Sequence, residues 1–116
     1  MPHNHLAWWQ REDLCYRQGH LFFAGQSVQR LAEWYGTPSF VYSAARVRAN
    51  LQRLHAALEN AGLGGRFTLH YAMKANRFAP LLTFLKQSGL CGIDACSPAE
   101  VEHAVSCGFM PQDISF

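Results

Sequence analysis

The stretch His70-Tyr71-Ala72-Met73-Lys74-Ala75-Asn76 ends an apolar run that starts at Phe67, and it carries one of the chain's two lysines. Lys86 is the other, in a run of ordinary helical character. Side chains alternate faces along a strand, so Phe67, Leu69, Tyr71 and Met73 share one side, and Thr68, His70, Ala72 and Lys74 the other. The first set is bulky and apolar, suited to lie under covering helices. The second is small or polar, and it turns Lys74 toward whatever the strand helps to enclose. The spacing predicts a strand over 67–73 with Lys74 at its end. Such a lysine can pack its stem and keep its ammonium in water. Held in a pocket, the same residue is an amine nucleophile or Schiff-base former. The stretch alone leaves both readings open.

Downstream, Pro80 is placed to open a helix carrying Leu81, Leu82, Phe84 and Leu85, with Gly89 as its stop. Residues 90–96 read as a second strand on which Gly92, Asp94 and Cys96 share a face. Asp94 then has the inner polar role that Lys74 has next door, although it also reads as an acceptor for loop N–H groups. Ser97-Pro98-Ala99-Glu100 has the form of a capping box with Pro at the first helical position, which on local grounds explains both Ser97 and Glu100. The helix it opens buries Val101, Ala104 and Val105 and stops at Gly108, and residues 111–116 begin a further strand.

Upstream, Ser43 caps a helix with the apolar stripe Val47, Leu51, Leu54 and Leu58, ended by Gly62, Gly64 and Gly65. Thr37-Pro38 enforces extended backbone, and Ser39-Phe40-Val41-Tyr42 reads as a strand. Ser27 caps a short helix over about 27–35 that Gly36 closes. Residues 1–25 show no sustained period. Leu21-Phe22-Phe23 reads as a short strand ending at Gly25, Trp8 and Trp9 make the segment too apolar for a free tail, and His3 with His5 belong to a frayed terminus.

After residue 37 the order is strand, helix, strand, helix, strand, helix, strand. That alternation argues for parallel strands with helical crossovers. The expected fold class is α/β, with the first β/α units of a (β/α)8 barrel over 37–116 and an N-terminal segment over 1–36. A barrel takes roughly 250 residues, so the 116 residues read as a truncated N-terminal part of one. Its open sheet edge predicts poor stability in isolation.

The chain is 49% hydrophobic and 16% charged, enough apolar material for a core. A net charge of +2 with no basic block gives no argument for nucleic acid or an anionic membrane surface. No leader pattern and no apolar run of membrane-spanning length occurs, which favours a soluble, cytoplasmic protein. Cys15, Cys91, Cys96 and Cys107 contain no CxxC spacing and read as small buried thiols in a reducing compartment, with no metal expected.

Tyr71-Ala72-Met73-Lys74-Ala75-Asn76 resembles the pyridoxal-phosphate lysine motif of the fold-type III decarboxylases, the ornithine/diaminopimelate/arginine decarboxylase group. Tyr35-Gly36-Thr37-Pro38 with Phe40-Val41-Tyr42 is similar to that family's entry into its barrel. Gly92-Ile93-Asp94-Ala95-Cys96-Ser97-Pro98-Ala99-Glu100 resembles its G-x-D-x-x-S-x-x-E segment, and the likeness runs over about residues 27–116. The resemblance implies an alanine racemase-like barrel, pyridoxal 5′-phosphate as cofactor, and Lys74 as the catalytic residue that holds it as a Schiff base. Asp94, Ser97 and Glu100 would form the cofactor pocket with Lys74, while His70, Ala72 and Asn76 would support the lysine from behind. The likeness is greatest to diaminopimelate decarboxylases, which implies a small amino-acid substrate, meso-diaminopimelate converted to L-lysine, and a homodimer at full length.

The family's glycine-rich phosphate loop, the acid that pairs with the pyridine nitrogen and the ring-stacking histidine lie further along its chain. The 116 residues alone are therefore expected to be inactive. Alanine racemases share the barrel and the lysine, but their motif continues into Tyr-Gly-His-Gly where this one continues Asn76-Arg77-Phe78-Ala79. A non-catalytic barrel homologue that binds a partner is the reading from a different class. Retention of Lys74, Asp94 and Glu100 together speaks against it.

Overall fold

The computed structural model describes residues 7–116, so the expectation for His3 and His5 falls outside the described residues. The chain divides into two units, one ending at Ser43 and a second spanning Ala44–Phe116.

In the first unit, β1 (Leu14–Arg17), β2 (His20–Phe23) and β3 (Gln26–Ser27) form an antiparallel meander. Its two turns are Gln18–Gly19, with φ of 51° and 78°, and Ala24–Gly25, with φ of 49° and 77°. Positive φ at both central residues is what a type I′ hairpin turn requires, and glycine supplies the second at no steric cost. The expected strand at Leu21–Phe23 is present, now with a partner on each side. Helix α1 (Val28–Tyr35) follows as the spacing predicts: Ser27 Oγ accepts from the Arg30 N–H at 3.4 Å, and the Gly36 N–H donates to the Ala32 carbonyl at 2.8 Å. Residues Ser39–Tyr42 are not a strand. Their composition favours β structure, but they have no ladder partner among the described residues, and Phe40 is 90% exposed.

In the second unit, helix α2 (Ala44–Leu58) runs into a wide turn, Glu59–Leu63, that opens where Gly62 adopts φ 81°. Then come β4 (His70–Ala72), α3 (Ala79–Ser88), β5 (Gly92–Asp94), α4 (Pro98–Ser106) and β6 (Ile114–Ser115). The strands lie parallel in the order β4-β5-β6, with Tyr71 opposite Ile93 and Ile93 opposite Ile114. The crossover reading is therefore correct, but the regular strands are shorter than the apolar runs. Met73–Ala75 and Pro111–Asp113 are single 3₁₀ turns instead of strand.

One face of this sheet carries the core. Met73, Leu82, Leu85, Ile93, Ala95, Ala104 and Phe109 are buried, and Val47, Leu51 and Val101 pack against them. Two expected core positions point outward: Leu54 is 49% and Val105 47% exposed. On α2 the inward place goes to His55, whose Nε2–H donates to the Leu90 carbonyl at 2.6 Å. Of the four thiols, Cys91 is half-buried and burial pushes its pKa up, whereas Cys96 is exposed, against expectation.

Gly92 shows how tightly the strands approach. A Cβ there would run into the Asp113 carbonyl oxygen and lie 3.2 Å from His70 Cε1. Because the first obstacle is backbone, the strand connection itself has to shift. Gly92→Ala is expected to lower stability by about 1–3 kcal/mol, read as a lower urea midpoint at unchanged slope.

Candidate active site

Lys74 sits on the 3₁₀ turn Met73–Ala75, immediately beyond the carboxyl end of β4. Met73 is fully buried and seats the turn in the core, which sends Lys74 to the exposed side. Asp94 closes β5 in register with Ala72, so it lies one strand over from the lysine stretch and is half-buried. Neither the Lys74 ammonium nor the Asp94 carboxylate has an ion-pair or hydrogen-bond partner among the described residues. The small Ala72 leaves open the strand face that Asp94 shares. His70 enters from the same strand, and its Nδ1 lies 3.1 Å from the Ile93 carbonyl oxygen. A carbonyl only accepts, so the proton is on Nδ1 and Nε2 remains available.

The adjoining wall is the start of α4. Ser97 Oγ accepts from the Glu100 N–H at 3.2 Å, half of the expected capping box. The other half is absent, because the Glu100 carboxylate does not return to the Ser97 N–H. Its Oε2 accepts from the Cys96 N–H at 2.6 Å, and its Oε1 lies 3.2 Å from Arg77 Nε. Glu100 is only 4% exposed, so this buried acid joins the loop after β5 to the loop after Lys74. That second loop has three further ties. Tyr71 O–H donates to the Asn76 carbonyl at 3.1 Å, Asn76 Oδ1 accepts from the Phe78 N–H at 3.0 Å, and His103 Nε2 lies 2.8 Å from the Arg77 carbonyl. Arg77 enters the sequence reading only as part of the stretch that follows the lysine motif, and His103 does not enter it. The one available signal was Glu100, since a glutamate on a packed helix face calls for a cation.

An exposed primary amine without a counter-ion, next to a strand ending in an unpaired carboxylate, suits condensation with an aldehyde cofactor. A cavity of about 320 Å³ opens at the opposite end of the strands, near Phe67, Leu90 and Gly92. Its charged residues Lys86 and Asp113 are already paired at 3.5 Å. Chemistry in α/β barrels is carried out at the carboxyl ends of the strands, which is the Lys74 end.

The family profile described as pyridoxal-dependent decarboxylase, pyridoxal binding domain, matches residues 44–116. The chain belongs to the pyridoxal-dependent decarboxylase family. The match coincides with the second structural unit, and pyridoxal phosphate is the cofactor of such domains. Among relatives of the chain, the diaminopimelate decarboxylase of Methanothermobacter thermautotrophicus is 39% identical over 99 residues, 85% of this chain and 22% of the relative. That of Pseudomonas aeruginosa is 34% identical over 101 residues, 87% of this chain and 23% of the relative. In three dimensions the chain resembles diaminopimelate decarboxylase from M. jannaschi with a TM-score of 0.74 at 27% identity, over 88% of this chain and 24% of that one. A protein of Aquifex aeolicus gives 0.69 at 32% identity over the same shares. The α/β fold of the chain is thus that of the N-terminal part of the family's barrel, and the chain spans between a fifth and a quarter of the length of these relatives. Among the described residues no helix is long and apolar enough to cross a membrane.

Proposed function

We propose that the protein is a pyridoxal-phosphate-dependent amino-acid decarboxylase that converts meso-diaminopimelate to L-lysine, with Lys74 as the residue that holds the cofactor. The observation that carries this reading is the unpaired Lys74 amine at the carboxyl end of β4, in a chain whose relatives are named for that reaction. Bound there, the cofactor supplies an electron sink for the bond that loses CO₂. The chain's own residues bind and orient. Lys74 Nζ is the nucleophile and attacks as the neutral amine. Asp94 is the carboxylate at the next strand end, suited to accept from the amine's remaining N–H and hold its direction. Glu100 and Ser97 shape the cofactor pocket by fixing the start of α4, and His70, Ala72 and Asn76 support the lysine from behind. The phosphate and the pyridine nitrogen take their partners from other parts of the barrel. The assembly we propose is a cytoplasmic homodimer that acts on a small amino acid and binds no nucleic acid.

The test is an assay of the full-length protein with pyridoxal phosphate, following CO₂ and product. The expected result is stoichiometric CO₂ and L-lysine from meso-diaminopimelate, and no turnover by the 116 residues alone. Release of CO₂ only from another amino acid corrects the substrate. Racemisation without CO₂ overturns the decarboxylase reading, and cofactor binding with no turnover of any amino acid points to a homologue that works by binding.

A further inference from the structure

We propose that Arg77 and His103 are positioning residues for Lys74: with Glu100 they form a two-point clamp that fixes the loop following the lysine to α4. The inference rests on the reading of Lys74 as the cofactor-bearing residue. Lys74 itself has no partner among the described residues, so its placement depends on the backbone on either side. On the strand side that backbone is fixed by the buried Met73. On the other side, Ala75 to Phe78 form an irregular connection to α3, and local ties within it come from Tyr71 and Asn76.

Two ties from outside this β/α unit meet at Arg77. Its carbonyl oxygen accepts from His103 Nε2–H at 2.8 Å, and its Nε lies 3.2 Å from Glu100 Oε1. His103 and Glu100 are three residues apart on α4, hence on one helix face, and both reach across to the neighbouring loop. Glu100 also accepts from the Cys96 N–H, just past Asp94, at 2.6 Å. The clamp therefore couples the Lys74 loop to the loop that follows Asp94, and the amine and carboxylate keep their spacing as a unit. Glu100 is 4% exposed and Arg77 is on the surface, so the carboxylate is the fixed post and the guanidinium closes over it. Holding a nucleophile in one direction is a large share of what a scaffold contributes to such a reaction. Arg77 and His103 touch neither cofactor nor substrate in this scheme. They act through the backbone of residues 75–78.

The test compares His103→Leu with His103→Gln, and Arg77→Leu with Arg77→Lys, in the full chain. Gln can still donate an N–H to the Arg77 carbonyl, and Lys can still face Glu100. Three readouts are taken well below the melting temperature: the rate at which added pyridoxal phosphate becomes borohydride-trappable on Lys74, the pH midpoint of the bound cofactor's visible band, and amide exchange of residues 75–78 without cofactor. Both Leu variants are expected to trap cofactor about ten-fold more slowly, to shift the band's midpoint and to exchange faster at 75–78. His103→Gln and Arg77→Lys are expected to recover most of each loss. If wild type and all variants trap cofactor at one rate with one midpoint, the clamp is wrong and the Lys74 reading stands. If wild type is never trapped on Lys74, the Lys74 reading falls and the clamp's purpose with it. Should a Leu variant fail to fold, equal behaviour of His103→Gln and His103→Ala is enough to overturn the proposal.

Discussion

Lys74→Ala in the full-length protein is expected to leave no measurable turnover, a loss on the order of 10⁴-fold or more in kcat, the scale seen when a covalent catalyst is removed. The fold should survive, because the Lys74 side chain is exposed and has no hydrogen bond or ion pair among the described residues. The melting temperature is therefore expected to stay within a few degrees of wild type, since surface changes of this kind are within about 0.5 kcal/mol. Lys74→Arg is expected to be as inactive as Lys74→Ala. It keeps the charge and the length, but a guanidinium is not deprotonated near neutrality and cannot condense with an aldehyde. An arginine variant with appreciable turnover would mean that Lys74 serves only as a charge. Steady-state kinetics at saturating cofactor, with circular dichroism as the check on folding, separates these outcomes.

Met73→Ala is expected to have the largest effect on stability among single changes near the site. Met73 is fully buried beside Leu82, Leu85 and Ile93, one residue before the lysine. Truncation removes buried apolar surface and leaves a cavity, at a cost of about 2–5 kcal/mol. For a barrel of roughly 250 residues each kcal/mol is worth roughly 2–4 °C in melting temperature, so the loss is readily measured. Because Met73 seats the turn that carries Lys74, the variant should also bind cofactor more weakly at temperatures where it remains folded. Met73→Leu refills the space with a similar volume and is expected to cost less than about 1.5 kcal/mol. If Met73→Ala melts like wild type, the turn is not anchored in the way described.

The parallel arrangement was legible in the sequence because apolar period and punctuation agreed. Pro80 and Gly89 bracket α3, and Ser97 and Pro98 open α4. Met73 is buried and Lys74 exposed, but both lie on the 3₁₀ turn beyond β4, so strand parity holds only as far as Ala72; on β5 it separates Asp94 from Ile93. Three features were not legible. Ser39–Tyr42 has strand-like residues, but a strand needs a partner edge, and propensity says nothing about partners. The meander of β1 to β3 escaped because its strands are too short for a period of two to emerge. Its turns use Gln18-Gly19 and Ala24-Gly25, in place of the Asn-Gly pair that most strongly marks a hairpin. The capping box was half right: Ser97 caps, whereas the Glu100 carboxylate turns away to Cys96 and Arg77. A local pattern cannot reveal that preference, because Arg77 comes from a different β/α unit and meets Glu100 only in the folded chain. The same holds for His103 and the Arg77 carbonyl.

The central claim, that Lys74 holds the cofactor, is tested most directly by reducing the loaded protein with borohydride, digesting it with trypsin and locating the label. Trypsin cuts after Arg66 and Arg77, and reduction blocks the cut at Lys74, so the expected product is a single labelled peptide spanning residues 67–77. Lys86, the other lysine of these 116 residues, is an internal control; it is tied to Asp113 at 3.5 Å and should stay unlabelled. Label on Lys86, or an unmodified peptide ending at Lys74 from fully loaded protein, would contradict the assignment.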